Sequence, residues 1–458
     1  MSQTMMTLSE AAAAVQGELQ GTDCAFNAVS TDTRAIKSGD LFIALKGERF
    51  DGAAFADKAL QSGAVGILVN ADSTTARPAV HVADTRIALG QLAAYWRKQF
   101  AIPVIAITGS NGKTTVKEMT AAILRRASDA GAVLATEGNL NNDIGCPLMM
   151  LKLRGQHRYA VLEMGMNHRG EIRYLTKLAQ PDIALVNNAM TAHIGLLGSV
   201  RAIAEAKGEI FEGLDGGDSK GSGVAIFNAD DDHADYWRSL NKDRRVLGFG
   251  FAKTADVRGV YQPSAVGGTL QVHTPQGEAT INLQVAGEHN ARNALAAISI
   301  ALTAGVSLPV CVAALTDFSG VKGRLQRKPA LHGGMFIDDT YNANPDSTRA
   351  ALGVLARVDG KKYLVLGDMG ELGEDAPAMH AQIGLAARQA GVEKLFGLGE
   401  LSREAVKAFG AGGMHFERIE ELLAEVENAL APEVTVLVKG SRAMQMERVV
   451  NSLMEGAR

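Results

Sequence analysis

One short stretch, VIAITGSNGKTTVKEM at residues 104–119, constrains the fold of this chain more than any other. Its apolar beginning is typical of a buried strand, and the residues from Lys113 onward place apolar side chains on one face of a helix. Gly109 and Gly112 therefore stand in a tight strand-to-helix turn. Such a turn points backbone N–H groups at an anion, and the helix dipole strengthens the attraction. The stretch predicts a phosphate-binding loop in an α/β fold.

The loop departs from the widespread phosphate-binding pattern at one position. The pattern G-x-x-x-x-G-K-[ST] requires a glycine where this chain has Ile107. We expect this change to alter the geometry of the loop but not its charge chemistry, because Lys113 and Thr114 still follow the second glycine. Lys113 would lie against the β and γ phosphates of a nucleotide, and the Thr114 hydroxyl would ligate Mg²⁺.

Length and patterning together predict three domains in an α/β protein. A chain of 458 residues exceeds what one hydrophobic core usually organises. Residues 1–84 hold short strand-like runs among turns and predict a small N-terminal α/β domain, and the polar residues 70–84 have the composition of a linker. Residues 85–316 alternate strands and helices, which predicts a central ATP-binding domain with a parallel sheet, and residues 255–286 predict an antiparallel appendage. The alternation restarts over residues 317–458 and predicts a Rossmann-like C-terminal domain.

Composition narrows the class of protein and of partner. The formal charge of −4 gives no electrostatic reason to expect a nucleic acid as partner. Residues 1–20 lack the pattern of a signal peptide, and no segment has the roughly 18 apolar residues of a membrane span. Three cysteines lie far apart without metal-binding spacing, which is typical of a reducing compartment. We therefore expect a cytoplasmic protein, and a monomer because nothing indicates an obligate interface.

Polar residues after two further strands are candidates for a metal site beside the loop. Glu163 ends the strand YAVLE and His193 follows DIALVNNA, at the edge where parallel sheets place ligand-binding groups. Asp339 ends the strand MFIDD in the C-terminal domain, where a ligand-binding acid is expected although its target is open. The helix IAEAKGEIFEGL, taken alone, predicts that Lys207 is a surface lysine without a role.

The combination of these segments resembles the Mur ligases, the ATP-dependent amide-forming enzymes of peptidoglycan precursor synthesis. The matching segments lie between roughly residues 30 and 445 and include, in order, TGSNGKTT, LEMGMNHRGEI, NNAMTAHIG, EAKGEIF, GEHNARNALAA, GRLQ and DDTYNANPDS. The family has the same short glycine spacing, so Ile107 supports the resemblance. STDTRAIKSGDLFIALKGERFDG and DTYNANPDS look like the branch that adds D-alanyl-D-alanine to UDP-N-acetylmuramoyl-tripeptide through an acyl phosphate.

The resemblance implies how the central domain would bind metal. It assigns Thr114, Glu163 and His193 to two Mg²⁺ sites. It assigns Lys207 to a carbamylated lysine that supports the second metal, in contrast to the surface role that its helix alone suggests. Carbamylation turns an ammonium into a carboxylate-like oxygen ligand, which Mg²⁺ prefers. Lys113, Glu163, His193 and Lys207 are thus the expected catalytic residues.

The resemblance also implies a nucleotide site between two domains. Asn290 and Asn293 would hold the adenine edge, and Arg324 and Asp339 would reach over the phosphates and the ribose. The remaining nucleotide contacts would come from the loop residues Gly109, Ser110, Asn111, Gly112, Lys113, Thr114 and Thr115.

The substrates would be held by all three domains. Hydroxyl and guanidinium groups of the N-terminal domain suit the diphosphate and uracil of a UDP-sugar. Asn139 and Asn142 would flank the substrate where it enters the central domain, and the segment from Lys439 to Arg442 would meet the carboxylate of the dipeptide. The predicted substrate-binding residues are Ser30, Thr31, Asp32, Thr33, Arg34, Lys46, Arg49, Asn139, Asn142, Tyr341 and Asn344.

Four alternatives remain open at the level of sequence. A sister Mur ligase would add a single amino acid, and several such enzymes carry a histidine where this chain continues with Tyr341 and its neighbours. Folylpolyglutamate synthase shares the ligase architecture, but the turn-rich residues 30–52 argue against it. A P-loop kinase would need no amine substrate. A nucleotide-dependent switch, which belongs to a different class, would hydrolyse ATP slowly and respond to a protein partner.

Overall fold

The computed structural model describes residues 4–47, 50–74, 78–215, 223–264 and 266–456. The predicted substrate residue Arg49 lies outside these ranges. The N-terminal elements are β1 (Met6–Thr7), α1 (Leu8–Ala14), β2 (Glu18–Gln20), β3 (Ala25–Phe26), β4 (Ala28–Ser30), β5 (Asp40–Ile43), β6 (Lys46–Gly47), β7 (Phe50–Asp51), α2 (Ala56–Gln61), β8 (Gly66–Asn70), β9 (Ala79–Val82) and α3 (Thr85–Arg97).

The N-terminal elements form a sheet with the strand order β2-β9-β8-β5-β4. Its strands from β9 to β4 are parallel, and β2 adds to the edge antiparallel to β9. The expectation that residues 70–84 form a linker is wrong, because they contain β9, which lies inside this sheet. Ala79, Val80 and Val82 are buried, and Asp84 then caps α3 by accepting from the backbone N–H of Arg86 and Ile87.

The central part of the chain contains the predicted strand, loop and helix. Its strands are β10 (Val104–Thr108), β11 (Val133–Ala135), β12 (Tyr159–Glu163), β13 (Ile183–Val186), β14 (Val224–Asn228), β15 (Arg245–Gly250), β16 (Val257–Pro263), β17 (Gly268–Thr274) and β18 (Gly277–Leu283). Its helices are α4 (Lys113–Ala127), α5 (Gly145–Met150), α6 (Glu171–Ala179), α7 (Ile194–Leu197), α8 (Val200–Gly208), α9 (Ala234–Ser239), α10 (Glu288–Thr303) and α11 (Leu308–Thr316).

The central strands form one continuous sheet in the order β11-β12-β10-β13-β14-β15-β16-β17-β18. The strands from β11 to β16 are parallel, and β17 and β18 continue the sheet as an antiparallel hairpin, which confirms the predicted appendage. Strand β10 is buried on both faces. Val104 and Ala106 pack into the cluster that contains α3, α5 and α6, whereas Ile105 and Ile107 pack against α4 and α10.

The C-terminal part contains β19 (Gln326–Pro329), β20 (Met335–Asp339), α12 (Pro345–Leu355), β21 (Lys361–Gly367), α13 (Ala376–Gln389), β22 (Lys394–Leu398), α14 (Ser402–Phe409), β23 (Gly413–Phe416), α15 (Ile419–Ala429), β24 (Val434–Lys439) and α16 (Glu447–Leu453). Its sheet has the order β19-β20-β24-β21-β22-β23, parallel except for β19 at the edge. Short 3-10 turns occur at Gly52–Phe55, Ala130–Ala132, Glu209–Asp215, Leu331–Gly333, Gly373–Asp375 and Arg442–Met444.

The architecture confirms the predicted α/β fold with parallel sheets and helices on their faces. Within the described ranges, none of the helices is long and apolar enough to cross a bilayer. The parallel strands of the central and C-terminal sheets place their carboxyl ends toward a common cleft, where the polar residues described next are found.

Candidate active site

The predicted phosphate loop joins β10 to α4 at the carboxyl edge of the central sheet. Gly112 has a φ of +79° and precedes the first helical residue, Lys113. A Cβ atom at Gly112 would lie 2.5 Å from Asn293 Oδ1 and 2.6 Å from Asn187 Nδ2, so only glycine fits this turn. The Lys113 ammonium donates a hydrogen bond to the Gly109 carbonyl at 2.7 Å, which links the end of the loop to its beginning.

Ile107, the residue that departs from the general loop pattern, is a fully buried strand residue. It pairs with Glu163 on β12 and with Leu185 on β13. Strand β10 thus extends one residue beyond Ile107 before the chain turns at Gly109, and the loop needs no glycine at that point. The short glycine spacing is therefore a property of where the strand ends.

Two asparagines at the end of β13 hold the backbone of the loop. Asn187 Nδ2 and Asn188 Nδ2 donate to the Asn111 carbonyl at 2.9 and 3.1 Å, and the Asn111 N–H donates to Asn188 Oδ1 at 2.9 Å. Ser110 is buried and exchanges hydrogen bonds with the backbone of Met190. These bonds fix the loop in place before any anion arrives, which is the arrangement that electrostatic stabilisation requires.

Glu163 is buried at the end of β12, with a relative exposure of 3%. Asn141 Nδ2 donates to its Oε1 at 2.8 Å, whereas Oε2 is buried and has no hydrogen-bond partner among the described residues. A buried carboxylate oxygen without a partner is costly unless a cation or a donor from a ligand completes it. Thr114 and Lys113 line the same cleft, so the oxygen faces the place where the loop would hold phosphate.

His193 lies at the opposite side of the cleft, just before α7. Its backbone has a φ of +65°, and its Nδ1 lies 2.6 Å from Glu371 Oε2 of the C-terminal domain. This is a close ion-pair contact and not an aligned hydrogen bond, because Nδ1 has no hydrogen-bond partner among the described residues. The contact with the imidazole lowers the pKa of the Glu371 carboxyl, whereas burial raises it. The contact has the larger effect, so the pKa of Glu371 lies below its ordinary value. Glu371 also lines the cleft with Lys113.

The expectation that Lys207 is a surface lysine is wrong. Its side chain is buried, with a relative exposure of 1%, because α8 packs this face toward the central sheet. Among the described residues it has no hydrogen-bond or ion-pair partner. Burial, together with the charge of Lys113, holds the pKa of Lys207 well below its ordinary value. Helix composition could not reveal this, because Lys207 lies between the acidic residues Glu205 and Glu209 in sequence.

A second cavity, of about 140 Å³, opens on the other side of the loop. Asn290 and Asn293, which start α10, are both buried and line it, and Asn293 Nδ2 donates to Asn290 Oδ1 at 3.3 Å. They therefore face the same way, as their spacing predicts. His289 lines the cavity as well, and burial lowers its pKa to about 4.

The C-terminal domain supplies the opposite wall of both cavities. Arg324 lines each of them and stacks 4.0 Å above the ring of Tyr341. Its Nε is buried, and no residue within the described ranges accepts a hydrogen bond from it. Asp339 ends β20 and accepts a hydrogen bond from the buried ammonium of Lys439 at 2.5 Å. The structure thus brings the predicted nucleotide residues of two domains together around the loop.

The main cleft, of about 400 Å³, lies between the central and C-terminal domains. Three contacts hold its walls together. Asn344 Nδ2 donates to Asn111 Oδ1 at 2.7 Å, Thr191 donates its N–H to Asp346 Oδ2 at 2.9 Å, and the Gly195 N–H donates to the Glu371 carbonyl at 3.1 Å. Of the predicted substrate residues, Asn139, Tyr341 and Asn344 line this cleft, together with Arg442.

The predicted substrate residues of the N-terminal domain that the structure describes do not line this cleft. Arg34 forms a bidentate ion pair with Asp32, and it lowers the pKa of that carboxyl to about 2. The Arg34 side chain is 84% exposed. Ser30 accepts from the Asp32 N–H and donates to its carbonyl, and Lys46 contacts Asp72 at 3.4 Å. Thr31 and Thr33 share this half-buried turn after β4.

Asn142 caps the start of α5 instead of lining the cleft, because its Oδ1 accepts from the Gly145 N–H at 2.8 Å. Its role toward a substrate stays a prediction. Sequence reasoning overlooked its neighbour Asn141, which contacts Glu163, and also Asn187 and Asn188. The only sequence signal for these residues was the position of an asparagine pair directly after the strand IALV.

Three models of known protein families match the chain. "Mur ligase family, catalytic domain" matches residues 25–97, "Mur ligase middle domain" matches residues 107–301, and "Mur ligase, glutamate ligase domain" matches residues 323–442. The UDP-N-acetylmuramoyl-tripeptide–D-alanyl-D-alanine ligase of Escherichia coli (strain K12) is 42% identical over 98% of both chains. The enzyme of that name from Bacillus subtilis (strain 168) is 35% identical over 98% of both.

Solved structures agree with the sequence relatives. MurF from Acinetobacter baumannii superposes with a TM-score of 0.90 at 38% identity, covering 99% of this chain and all of that one. MurF from Thermotoga maritima in complex with ADP gives 0.81 at 27% identity, covering 92% and 96%. A folylpolyglutamate synthase from Mycobacterium tuberculosis shares the fold alone, with a TM-score of 0.63 at 18% identity over 80% and 94%. This chain belongs to the Mur ligase family.

Proposed function

We propose that this protein is an ATP-dependent ligase that joins D-alanyl-D-alanine to UDP-N-acetylmuramoyl-tripeptide. One observation carries the proposal. The phosphate loop with Lys113, the partnerless oxygen of Glu163 and the stacked guanidinium of Arg324 meet in one cleft between two domains. Such a cleft suits phosphoryl transfer to a second bound substrate, because closure of the domains keeps water from the activated product. Full-length relatives that bear the name of this ligase support the choice of substrates.

An amide cannot form from a free carboxylate and an amine in water without activation. The γ-phosphoryl group of ATP first passes to the terminal carboxylate of the tripeptide, which gives an acyl phosphate and ADP. The amine of D-alanyl-D-alanine then attacks the acyl carbon, and phosphate leaves as the amine loses a proton. Lys113 neutralises charge on the transferring group, and the loop held by Asn187 and Asn188 keeps its N–H groups directed at it.

The site suits Mg²⁺ by the chemistry of its donors. The buried Oε2 of Glu163 has no hydrogen-bond partner in the part of the chain that the structure describes, and Thr114 lines the same cleft. Carboxylate and hydroxyl oxygens are the ligands that Mg²⁺ prefers. Thr114 and Glu163 would hold one ion and His193 would contribute to the second, and these ions would neutralise negative charge on the phosphates.

We assign Lys207 as the carbamylated lysine from its burial beside Lys113, although it is not among the residues that line the cleft. Its amine is buried near Lys113, and a second ammonium beside the first would be repelled there. An uncharged amine reacts with carbon dioxide, and the carbamate would exchange the repulsion for an attraction to Lys113 and to a metal ion. Mass spectrometry of the native protein in bicarbonate tests this assignment directly.

We assign the substrates to the three domains with boundaries at residues 84 and 316. Residues 1–84 would bind the UDP-sugar through the turn that contains Arg34, whose exposed guanidinium is free to exchange Asp32 for a diphosphate. Residues 85–316 would bind ATP. Residues 317–458 would close over ATP and accept the dipeptide near Arg442, which lines the cleft.

The described cysteines are free thiols, which fits the cytoplasm, where both nucleotide substrates occur. We expect the protein to be a monomer.

One assay separates this function from its alternatives. Phosphate release from ATP is measured with UDP-N-acetylmuramoyl-tripeptide, with and without D-alanyl-D-alanine. We expect release only when both are present. Release with single amino acids in place of the dipeptide would indicate a sister ligase. ADP and a phosphorylated product formed without an amine, and without free phosphate, would indicate a kinase. Slow release that ignores both would indicate a nucleotide-dependent switch.

A further inference from the structure

Glu371 has a strained backbone at a place where the two domains contact each other. It follows β21 in the C-terminal domain with a φ of +62°, a conformation that a residue with a Cβ atom rarely adopts. Its carbonyl accepts from the Gly195 N–H of the central domain at 3.1 Å. Residues kept in such conformations cluster at functional sites, where the surrounding structure holds them in place.

Two glycines allow this approach. A Cβ atom at Gly195 would lie 2.4 Å from the backbone nitrogen of Gly373, and one at Gly373 would lie 3.0 Å from the Cα of Gly195. The segment after His193 and the segment after Glu371 therefore meet backbone to backbone. A contact of this kind fixes the position of both residues relative to each other, without dependence on flexible side chains.

The carboxylate of Glu371 reaches into the cleft and meets the imidazole of His193. Glu371 Oε2 lies 2.6 Å from His193 Nδ1, and both residues line the cleft that holds Lys113 and Glu163. His193 has a side-chain exposure of 19%, so the imidazole is confined by its surroundings. Its own backbone also has a positive φ, of +65°. Two strained residues from different domains thus contact each other at the site proposed for metal.

An imidazole has two ring nitrogens, and the partner of one decides what the other is free to do. In metal sites the nitrogen that does not bind the ion is held by a carboxylate, a carbonyl or a water, which fixes the ring and strengthens the ligand. A carboxylate at Nδ1 leaves Nε2 as the nitrogen available to a cation.

We propose that Glu371 is a positioning residue, which holds His193 at Nδ1 and so presents Nε2 to the second metal ion when the domains are closed. The inference rests on the proposed function, because it concerns the metal site of the same reaction. It adds a physical link between domain closure and catalysis. The C-terminal domain would complete the metal site only when the Gly195 contact brings Glu371 to His193.

The test measures metal binding apart from turnover. Mn²⁺ is titrated into the full-length protein with a non-hydrolysable ATP analogue, and bound Mn²⁺ is followed by electron paramagnetic resonance. Glu371→Gln is expected to raise the Kd for Mn²⁺ about tenfold or more. Glu374→Gln removes the same charge from an exposed position in the same segment and should leave the Kd unchanged. Because Glu371 is proposed to act through His193, the variant should add less than about a twofold effect in a His193→Asn background.

The ring of His193 provides a second, independent measurement. Its ¹⁵N resonances, identified by their loss in His193→Asn, should shift in Glu371→Gln and stay in place in Glu374→Gln. An unchanged Kd or unchanged resonances in Glu371→Gln would overturn the proposal. A Kd that rises equally with and without His193 would overturn it as well, since Glu371 would then act on the ion itself. Wild-type phosphate release with both substrates tests the proposed function separately from all of these outcomes.

Discussion

Lys113 lies where the phosphate loop, the end of β12 and the C-terminal domain meet. Its ammonium donates to the Gly109 carbonyl, and burial lowers its pKa while Glu163 opposes that shift. The bond to Gly109 holds the ammonium inside the loop before a nucleotide binds. Lys113 therefore contacts the loop before a nucleotide binds and is expected to contact the phosphates afterwards. Its substitution is the most direct test of the site.

We expect Lys113→Ala to reduce turnover by at least about a hundredfold, because charge on the transferring phosphoryl group loses its nearest cation. The measurement is phosphate release with both substrates. The fold should survive, as judged by circular dichroism and melting temperature, because the side chain lies at the cleft and outside the hydrophobic clusters. Lys177→Ala, at a side chain that is 59% exposed, is the matched control. Full activity in Lys113→Ala would contradict the loop assignment.

His289 makes the stability of the folded protein depend on pH. Burial lowers its pKa from 6.5 to about 4, so the folded protein keeps the ring neutral in a pH range where the unfolded chain binds a proton. Stability from this ring is therefore complete above pH 6.5 and is lost as the pH falls toward 4. The effect is at most about 3 kcal/mol.

His289→Gln should flatten this dependence. Urea unfolding midpoints measured at pH 7 and at pH 5 should differ less in the variant than in the wild-type protein, because the variant has no ring to protonate on unfolding. Other titrating groups are common to both proteins and cancel in the comparison. Equal pH dependence in the two proteins would show that the ring is accessible to protons when folded.

At the scale of single elements, the start of α12 has two functions. Asn344 caps the helix, since its Oδ1 accepts from the Ser347 N–H at 2.9 Å, and the same side chain donates to Asn111 in the phosphate loop at 2.7 Å. The sequence NPDS is typical of a cap and first turn, because asparagine is followed by proline. Nothing in these residues indicates the second partner, which lies 233 residues away in the chain.

Two substitutions separate these functions. Asn344→Ser should keep the cap but is too short to reach Asn111, whereas Asn344→Ala should lose both. We expect both variants to weaken ATP binding by a similar factor of several-fold. Only Asn344→Ala should also lower stability, by about 1 kcal/mol in urea unfolding. If Asn344→Ser binds ATP as the wild-type protein does, the contact with Asn111 has no functional weight.

Elements differed in how readily the sequence predicted them. The loop helix Lys113–Ala127 has the bounds that its apolar periodicity indicates, and the strands beside it are long apolar runs. Val133–Ala135 and Arg245–Gly250 were overlooked as strands. The first is a short strand at the sheet edge, and the second contains two glycines, so neither presents the apolar run on which the prediction depended.

At the scale of the whole molecule, the site exists only when two domains touch. Asn111, Thr191 and Gly195 of the central domain contact Asn344, Asp346 and Glu371 of the C-terminal domain. Gly195 and Gly373 also meet backbone to backbone, with no room for a side chain at position 195. Glycine at position 195 is therefore a condition for closure.

Gly195→Ala should hold the domains apart. Its Cβ atom would lie 2.4 Å from a backbone nitrogen, which cannot move without shifting the whole segment. We expect turnover to fall by about tenfold or more, because small misplacements of reacting groups are costly. Small-angle scattering with ATP analogue should show a larger radius of gyration than wild type.

Gly353→Ala is the control for this prediction. It places the same methyl group on an exposed helical position with nothing within 4 Å, so neither turnover nor the radius should change. Wild-type turnover in Gly195→Ala would mean that catalysis does not need the closed arrangement.

The sequence by itself determined the local elements of this protein: the strand, loop and helix around Lys113, the alternation that predicts parallel sheets, and the acid at the end of each site strand. These features are legible because periodicity, glycine turns and caps act between residues that are near in the chain. Only the tertiary structure decided that Lys207 is buried without a partner in the described part of the chain, that Asn141 holds one oxygen of Glu163, and that Glu371 meets His193. Each of these facts depends on the packing of distant segments. That packing sets the burial of a side chain and the charges around it, and a residue's neighbours in sequence indicate neither its burial nor those charges.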